Sequence, residues 1–151
     1  PMLDGVGPGS YANRADVADV TYEGDIKIVP LRVVPDFGVS RKDPDPRGQA
    51  VYGADGVAGG TVRDLWVDRS EMLFRYIEVE VAGGKRVLLP MNFAKVSARG
   101  VAVKSILGSQ FAQVPTTRHA EQVTLLEEEK IMAYYGGGTL YATPARQEPL
   151  L

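Results

Sequence analysis

Apolar and polar side chains alternate through the middle of the chain in the pattern of half-buried β-strands. Within 73–81 two sets of side chains point to opposite faces, namely Arg75, Ile77, Val79 and Val81 against Phe74, Tyr76, Glu78 and Glu80. Other segments rich in β-branched or large apolar residues are Val62–Val67, Arg86–Leu89, Lys95–Val96 and Val101–Val103. The pattern therefore predicts a β domain of short strands over residues 51–107.

The segment Val62–Val67 departs from strict alternation. Val62 has one parity, whereas Leu65 and Val67 have the other. A β-bulge near Arg63–Asp64 would turn all three toward the core and would bend the strand. With the tight turn expected at Gly83–Gly84, this predicts a small antiparallel barrel. We expect its interior to include Leu65, Val67, Ile77, Val79 and Leu89.

Residues 1–50 have little periodicity and contain several prolines, which disfavour long regular elements. Ile26–Val29 and Leu31–Val34 are candidates for short edge strands. Because the region also has many apolar residues, we interpret it as an extended, ordered arm that packs on another surface. A partly disordered extension is the alternative.

The last region, residues 108–151, is predicted to contain a helix and an extended tail. Thr124 and Glu127 have the spacing of a capping box, with Thr124 as the N-cap. The run Gly136–Gly138 is expected to end the helix. The tail Thr143–Leu151 carries two prolines and is expected to be extended. The predicted fold class is thus mainly β with some α.

Composition excludes several kinds of function. The chain has 151 residues and a net charge of −2, so it lacks the basic excess typical of nucleic-acid binding. It has no cysteine and a single histidine, His119, which excludes thiolate and multi-histidine metal sites. No stretch approaches the roughly 20 apolar residues that cross a bilayer. The sequence offers no clear set of nucleophile, base and orienting group.

The densest charged cluster lies around the turn after Val62–Val67. Asp68 and Glu71 are three residues apart there, and Arg75 follows. Two close carboxylates raise each other's proton affinity, so such a pair can hold and pass a proton near neutral pH. Paired carboxylates also suit glycoside hydrolysis. The structural alternative is a solvated turn whose acids pair with arginines.

Several stretches resemble the H subunit of purple-bacterial photosynthetic reaction centres, and they run in order across nearly the whole chain. They are Asp4–Pro8, Gly59–Asp68, Arg75–Glu80, Val87–Met91, Gln122–Lys130 and Gly137–Ala142. The stretch 51–107 also looks like the PRC-barrel, the wider family to which the globular part of that subunit belongs.

The resemblance implies an accessory subunit with a transmembrane helix that is absent from this sequence. Its large domain caps the L and M subunits on the cytoplasmic face of the photosynthetic membrane. The partner subunits hold the bacteriochlorophylls, bacteriopheophytins, quinones and iron, and the H subunit ligates none of them. Asp68 and Glu71 match the family's acidic pair on the proton route to the secondary quinone, and Arg75 matches a nearby arginine.

One stretch departs from the family pattern. Better-known members carry two histidines at the surface entrance of the proton route, whereas the matching stretch here includes Glu23 and Asp25. We expect these carboxylates to form the proton-collecting surface. A histidine-based entrance, and the metal site formed there, is therefore in doubt for this chain.

Two other functions compete with an H-subunit role. A free-standing PRC-barrel adaptor that binds another protein is the first alternative, although such an adaptor would not need proline-rich segments on both sides of the barrel. A hydrolase that uses Asp68 and Glu71 is the second, and it would require a closed, substrate-sized cleft around that pair.

Overall fold

The computed structural model describes residues 14–38 and 44–141, which fold mainly as β-strands with one α-helix at the C-terminal end. The strands are β1 (Ile28–Pro30), β2 (Ala50–Tyr52), β3 (Ala58–Asp68), β4 (Leu73–Glu80), β5 (Arg86–Pro90), β6 (Lys95–Ser97) and β7 (Gly100–Ala102). The helix α1 spans Leu125–Tyr141. The mainly β fold class predicted from the sequence is confirmed.

The seven strands form one sheet in the order β5-β4-β3-β2-β7-β6, with β1 paired to β3 off this path. All pairs are antiparallel except β2 with β7, which run parallel. In this sheet β5 and β6 are not hydrogen-bonded to each other, so the strands do not close into a hydrogen-bonded barrel. The parallel pair and the open sheet differ from the all-antiparallel barrel expected from the alternation.

The bulge predicted in β3 is present. The register between β3 and β4 shifts between Val62 and Asp64, and Val62, Leu65 and Val67 are all buried. Ile77, Val79 and Leu89 are fully buried as well, as expected. The irregularity at Arg63 therefore lets β3 supply three apolar side chains to the core despite their mixed parity, and a second register shift follows between Trp66 and Val67.

The N-terminal segment packs on the chain's own sheet. Ile28, Val29 and Leu31 join the core, and β1 pairs with the end of β3. The strand expected over Leu31–Val34 is wrong, because Leu31–Val33 forms a single 3₁₀ turn closed by a hydrogen bond from Val34 N to Leu31 O. Contact of this segment with a partner subunit stays a prediction.

The helix begins as predicted but continues further. Thr124 Oγ1 accepts from the backbone N–H of Glu127, and Glu127 Oε1 accepts from that of Thr124, so both bonds of the capping box exist. The helix does not end at Gly136–Gly138 but runs through them to Tyr141. Two stretches named above, Asp4–Pro8 and the tail Thr143–Leu151, lie outside the described residues.

Packing explains why glycine is kept inside the helix. A Cβ built on Gly138 would lie 2.4 Å from Ile106 Cγ2 and 2.5 Å from the Ser105 carbonyl oxygen. The helix can approach this part of the sheet domain only where it lacks a side chain. Across 14–38 and 44–141, no helix is long and apolar enough to span a bilayer.

We therefore expect Gly138→Ala to destabilise the protein by about 1–3 kcal/mol through overpacking. The matched control is Gly137→Ala, since a Cβ at Gly137 would meet nothing within 4 Å. That variant should be neutral or up to about 1 kcal/mol more stable, because alanine is the better helix former. Urea unfolding of both variants measures the difference, and equal stability would contradict the packing explanation.

Candidate functional site

The outer face of β3 and β4, opposite the apolar core, carries polar side chains that are nonetheless buried. Asp64, Asp68, Tyr76 and Glu78 are each 5% exposed or less. They are covered by the N-terminal segment around β1 on one side and by α1 on the other. A buried carboxylate must be paired with a cation, hydrogen-bonded or protonated. Asp64, Asp68 and Glu78 therefore each need such a partner or a proton.

Asp68 is fully buried and is held as a carboxylate. Its Oδ1 accepts from the backbone N–H groups of Ser70 and Glu71, at 2.9 and 3.0 Å. Its Oδ2 accepts from Arg75 Nε at 3.0 Å and lies 3.9 Å from Lys27 Nζ. Burial would raise the pKa of Asp68, but these donors and cations outweigh it and lower the pKa below its ordinary value.

That Asp68 and Glu71 carry protons stays a prediction, but the rise in proton affinity expected for Asp68 is not found. The pKa of Asp68 is lowered, not raised. Glu71 gives Asp68 its backbone N–H, while its own side chain is exposed. Arg75, by contrast, lies beside Asp68 as the sequence suggested, and it pairs with that acid directly.

Glu23 and Asp25 lie on an exposed hairpin turn at the surface. The turn is closed by bonds from Gly24 N to Thr21 O and from Thr21 N to Asp25 O, and Gly24 adopts a φ of 92°. Neither carboxylate lines the cavity that contains Asp68. Two other residues of this hairpin do approach it: Lys27 Nζ lies 3.4 Å from Asp19 Oδ2 and 3.9 Å from Asp68 Oδ2.

Tyr76 and Glu128 form a second, unexpected pair. The Tyr76 hydroxyl hydrogen-bonds Glu128 Oε1 at 2.5 Å, which links the middle of β4 to the first turn of α1. Burial raises the pKa of Glu128 above its ordinary value. The Tyr76 hydrogen bond, Lys27 and Arg75 lower it in part, and Asp19 raises it further. Glu128 is thus a carboxyl group whose proton affinity is raised by its surroundings.

These groups line one cavity of about 540 Å³ between the N-terminal segment, β4 and α1. Its polar lining includes Arg14, Asp19, Lys27, Asp68, Arg75, Tyr76, Glu128 and Glu129. The cavity is therefore lined both by a carboxyl group whose pKa is lowered, Asp68, and by one whose pKa is raised, Glu128. Pairs whose environments push their pKa values apart are typical of sites that handle protons.

A separate ionic cluster lies further along the same face. Glu78 accepts from Trp66 Nε1 at 2.9 Å, from Arg32 Nη1 at 2.8 Å and from Arg86 Nη1 at 2.5 Å. Arg32 Nη1 also bonds Asp64 Oδ2 at 3.0 Å. Burial would raise the pKa of Glu78, but these three donors lower it. Arg32 belongs to the N-terminal segment, whereas Trp66 and Arg86 lie on the sheet. We therefore infer that this cluster holds the N-terminal segment on the sheet.

Metal binding finds no support among residues 14–38 and 44–141, where no group of three or more histidine or acidic side chains is placed to hold an ion. The expectation that the chain itself binds no cofactor stays a prediction. Glu128 was missed in the sequence because it follows Glu127, where the pattern indicated only the start of a helix. Its position opposite Tyr76 depends on packing between α1 and β4, which no local pattern reveals.

Comparison with known proteins matches two families to separate parts of the chain. The model of the PRC-barrel domain matches residues 39–110. The model of the photosynthetic reaction centre H-chain N-terminal region matches residues 1–33. A protein of Deinococcus radiodurans described as uncharacterized is 38% identical over 69 residues, and the match covers 44% of this chain and 25% of that protein. The chain thus spans about a quarter of that relative's length.

We expect Asp68→Asn to lower stability at neutral pH by about 1–3 kcal/mol, because the donors around Asp68 lose their charged acceptor. A group whose folded pKa is lowered contributes stability above its unfolded pKa, near 4, and loses that contribution as the pH falls through the folded value. The gap between wild type and variant should therefore shrink below about pH 4.

Urea unfolding at neutral and acid pH measures this gap. The matched control is Asp36→Asn, because Asp36 is exposed and should change stability by less than about 0.5 kcal/mol. Equal stability of Asp68→Asn and wild type at neutral pH would contradict the assignment of a buried, paired carboxylate.

Proposed function

Because this chain combines a PRC-barrel domain with an N-terminal segment like that of the reaction centre H chain, we propose that it is a non-enzymatic H-type subunit of a photosynthetic reaction centre. It caps the L and M subunits on the cytoplasmic face of the membrane and assists proton transfer to the secondary quinone. The observation that supports this most is the cavity where charged Asp68 and proton-holding Glu128 meet.

Each candidate residue has a distinct part in the proposed transfer. Glu23 and Asp25 lie at the surface, where their negative charge attracts protons. Asp68 stays ionised and stabilises a proton passing through the cavity, while Arg75 keeps it ionised and oriented. Glu128 takes up the proton between transfers, because burial raises its pKa above the ordinary glutamate value.

The turn between β3 and β4 is the proposed contact with the partner subunits. Glu71 and Met72 are exposed there, and Leu73 is 41% exposed. Met72 is 67% exposed and has a φ of 57°, an uncommon conformation for a residue with a side chain. Exposed apolar groups next to a polar cavity suit burial against another protein, and Glu71 would then face the partner.

Hydrolysis by the Asp68 and Glu71 pair is disfavoured by the same geometry. Both carboxyl groups of a glycosidase must face the scissile bond. Asp68 has both oxygens engaged by donors of its own chain, and Glu71 points to solvent. The adaptor alternative makes no use of the Tyr76–Glu128 pair, since binding another protein requires no buried proton-holding group.

Co-purification tests the proposed assembly. An affinity-tagged chain, produced in a purple bacterium that makes the L and M subunits but lacks its own H subunit, should retain pigmented membrane subunits through detergent washing. Met72→Asp together with Leu73→Asp should reduce the retained pigment several-fold, whereas Val57→Asp, at an exposed apolar position outside the turn, should not. Recovery of a pigment-free chain with other soluble proteins would favour the adaptor.

A further inference from the structure

The N-terminal segment closes the start of α1 with its backbone. Leu125 N donates to Val17 O at 2.9 Å, and Leu126 N donates to Ala15 O at 3.0 Å. The first N–H groups of a helix have no acceptor inside the helix, so an outside group must supply one. Here a segment more than 100 residues earlier in the chain supplies two carbonyl acceptors. The position of that segment is therefore linked to the position of the first helical turn.

Asp16 lies between these two contacts and holds the N-cap side chain. The Thr124 hydroxyl donates to Asp16 Oδ1 at 2.7 Å while its oxygen accepts from Glu127 N at 3.0 Å. Arg118 fixes the acid from the other side, with Nη1 2.5 Å from Asp16 Oδ2. Thr124 is 3% exposed, so water does not compete for these bonds. Asp16 thus fixes the orientation of the Thr124 hydroxyl.

Thr124 in turn is hydrogen-bonded through its backbone to Glu128, the residue with the proton-holding carboxyl. The backbone N–H of Glu128 donates to the Thr124 carbonyl at 2.9 Å, which is the first bond of the helical ladder. The Glu128 side chain then reaches Tyr76 on β4. A continuous series of hydrogen bonds therefore runs from Asp16 through Thr124 and Glu128 to Tyr76.

We propose that Asp16 is a positioning residue for Glu128: it holds Thr124 so that the first turn of α1 presents the Glu128 carboxyl to Tyr76 and to the cavity. This inference rests on the proton-holding role proposed for Glu128. The local capping box fixes where the helix begins, but it contains no contact with the sheet or with β1. Asp16 adds a side-chain bond to the two backbone bonds from Ala15 and Val17, and its segment continues through Asp19 and Lys27 to β1.

The charged surroundings of Glu128 depend on the same segment. The groups that face it are Tyr76 and Arg75 from β4, Asp68 from the end of β3, Arg14, Asp19 and Lys27 from the N-terminal segment, and Glu129 from its own helix. Three of these seven belong to the segment that Asp16 anchors. Loss of the Asp16 side chain would therefore loosen the contact between Glu128 and Tyr76 and shift the charged groups around Glu128.

Asp16 and α1 belong to parts of the chain that the family models match differently. Asp16 lies within the part matched by the H-chain N-terminal model, whereas α1 lies outside both matched regions. The N-terminal segment would then control the proton affinity of the Glu128 carboxyl, on a helix that follows the PRC-barrel domain. A PRC-barrel protein without such a segment would lack this proton-holding site even if its helix carried the same glutamate.

The test is a carboxyl-carbon NMR titration of the full 151-residue chain labelled in its glutamates. Glu128→Gln assigns the Glu128 signal by its disappearance. We expect Asp16→Ala to move the titration midpoint of Glu128 toward the ordinary glutamate range, with at least a threefold loss of proton affinity, on the order of half a pKa unit. Asp16→Asn keeps an oxygen acceptor for Thr124 and should stay close to wild type.

The result that overturns the inference is an unchanged Glu128 midpoint in Asp16→Ala while circular dichroism shows an intact fold. If Asp16→Ala does not fold, Asp16→Glu replaces it, since the longer side chain displaces the carboxylate but keeps its charge, and an unchanged midpoint there also overturns the inference. Should Glu128→Gln impair proton delivery while Asp16 variants leave Glu128 unmoved, the proposed function stands and only the positioning role fails.

Discussion

Carboxylates buried beneath the N-terminal segment impose the constraint on which the rest of this structure depends. A charged acid taken out of water needs cations and donors at hydrogen-bonding distance, or it takes up a proton. Asp68 and Glu78 satisfy the first condition through Arg75 and Arg86 on the sheet and through Lys27 and Arg32 from the covering segment. Glu128 has the Tyr76 hydroxyl at hydrogen-bonding distance, and burial raises its pKa above the ordinary value.

This constraint explains why the N-terminal segment is part of the fold. It brings two of the cations that make a polar face of the sheet stable when buried, and it brings Ile28, Val29 and Leu31 to the core. Removing it would leave Asp68 and Glu78 with fewer cations. The same segment forms one wall of the cavity and caps α1. The site is thus shared by parts of the chain that are distant in sequence.

Local rules predicted the features that depend only on neighbouring residues. The mixed parity of Val62, Leu65 and Val67 required a bulge, and the Thr124–Glu127 spacing required a capping box, and both are present. The same rules did not predict features that depend on tertiary contacts. The helix continues through Gly138, where it packs so closely against Ile106 and Ser105 that no side chain would fit.

The candidate site likewise combines features that neighbouring residues predict with features that depend on tertiary contacts. Asp68 and Arg75 were correctly identified as neighbours because they flank one turn, but the direction of the Asp68 pKa shift was not predictable. That direction depends on Lys27 and on backbone N–H groups whose orientation only the folded turn determines. Glu128 was missed because its partner, Tyr76, lies 52 residues earlier in the chain.

The most direct test of the central claim is the rate of the second, proton-coupled electron transfer to the quinone in the assembled complex after a light flash. If Glu128 holds the transferred proton, Glu128→Gln should slow this step several-fold and leave the first electron transfer unchanged. Asp68→Asn combined with Glu71→Gln should slow it as well, and the exposed control Asp36→Asn should not. An unchanged second step in both Glu128→Gln and the Asp68 and Glu71 double variant would contradict a proton-transfer role and leave the cavity with a structural one.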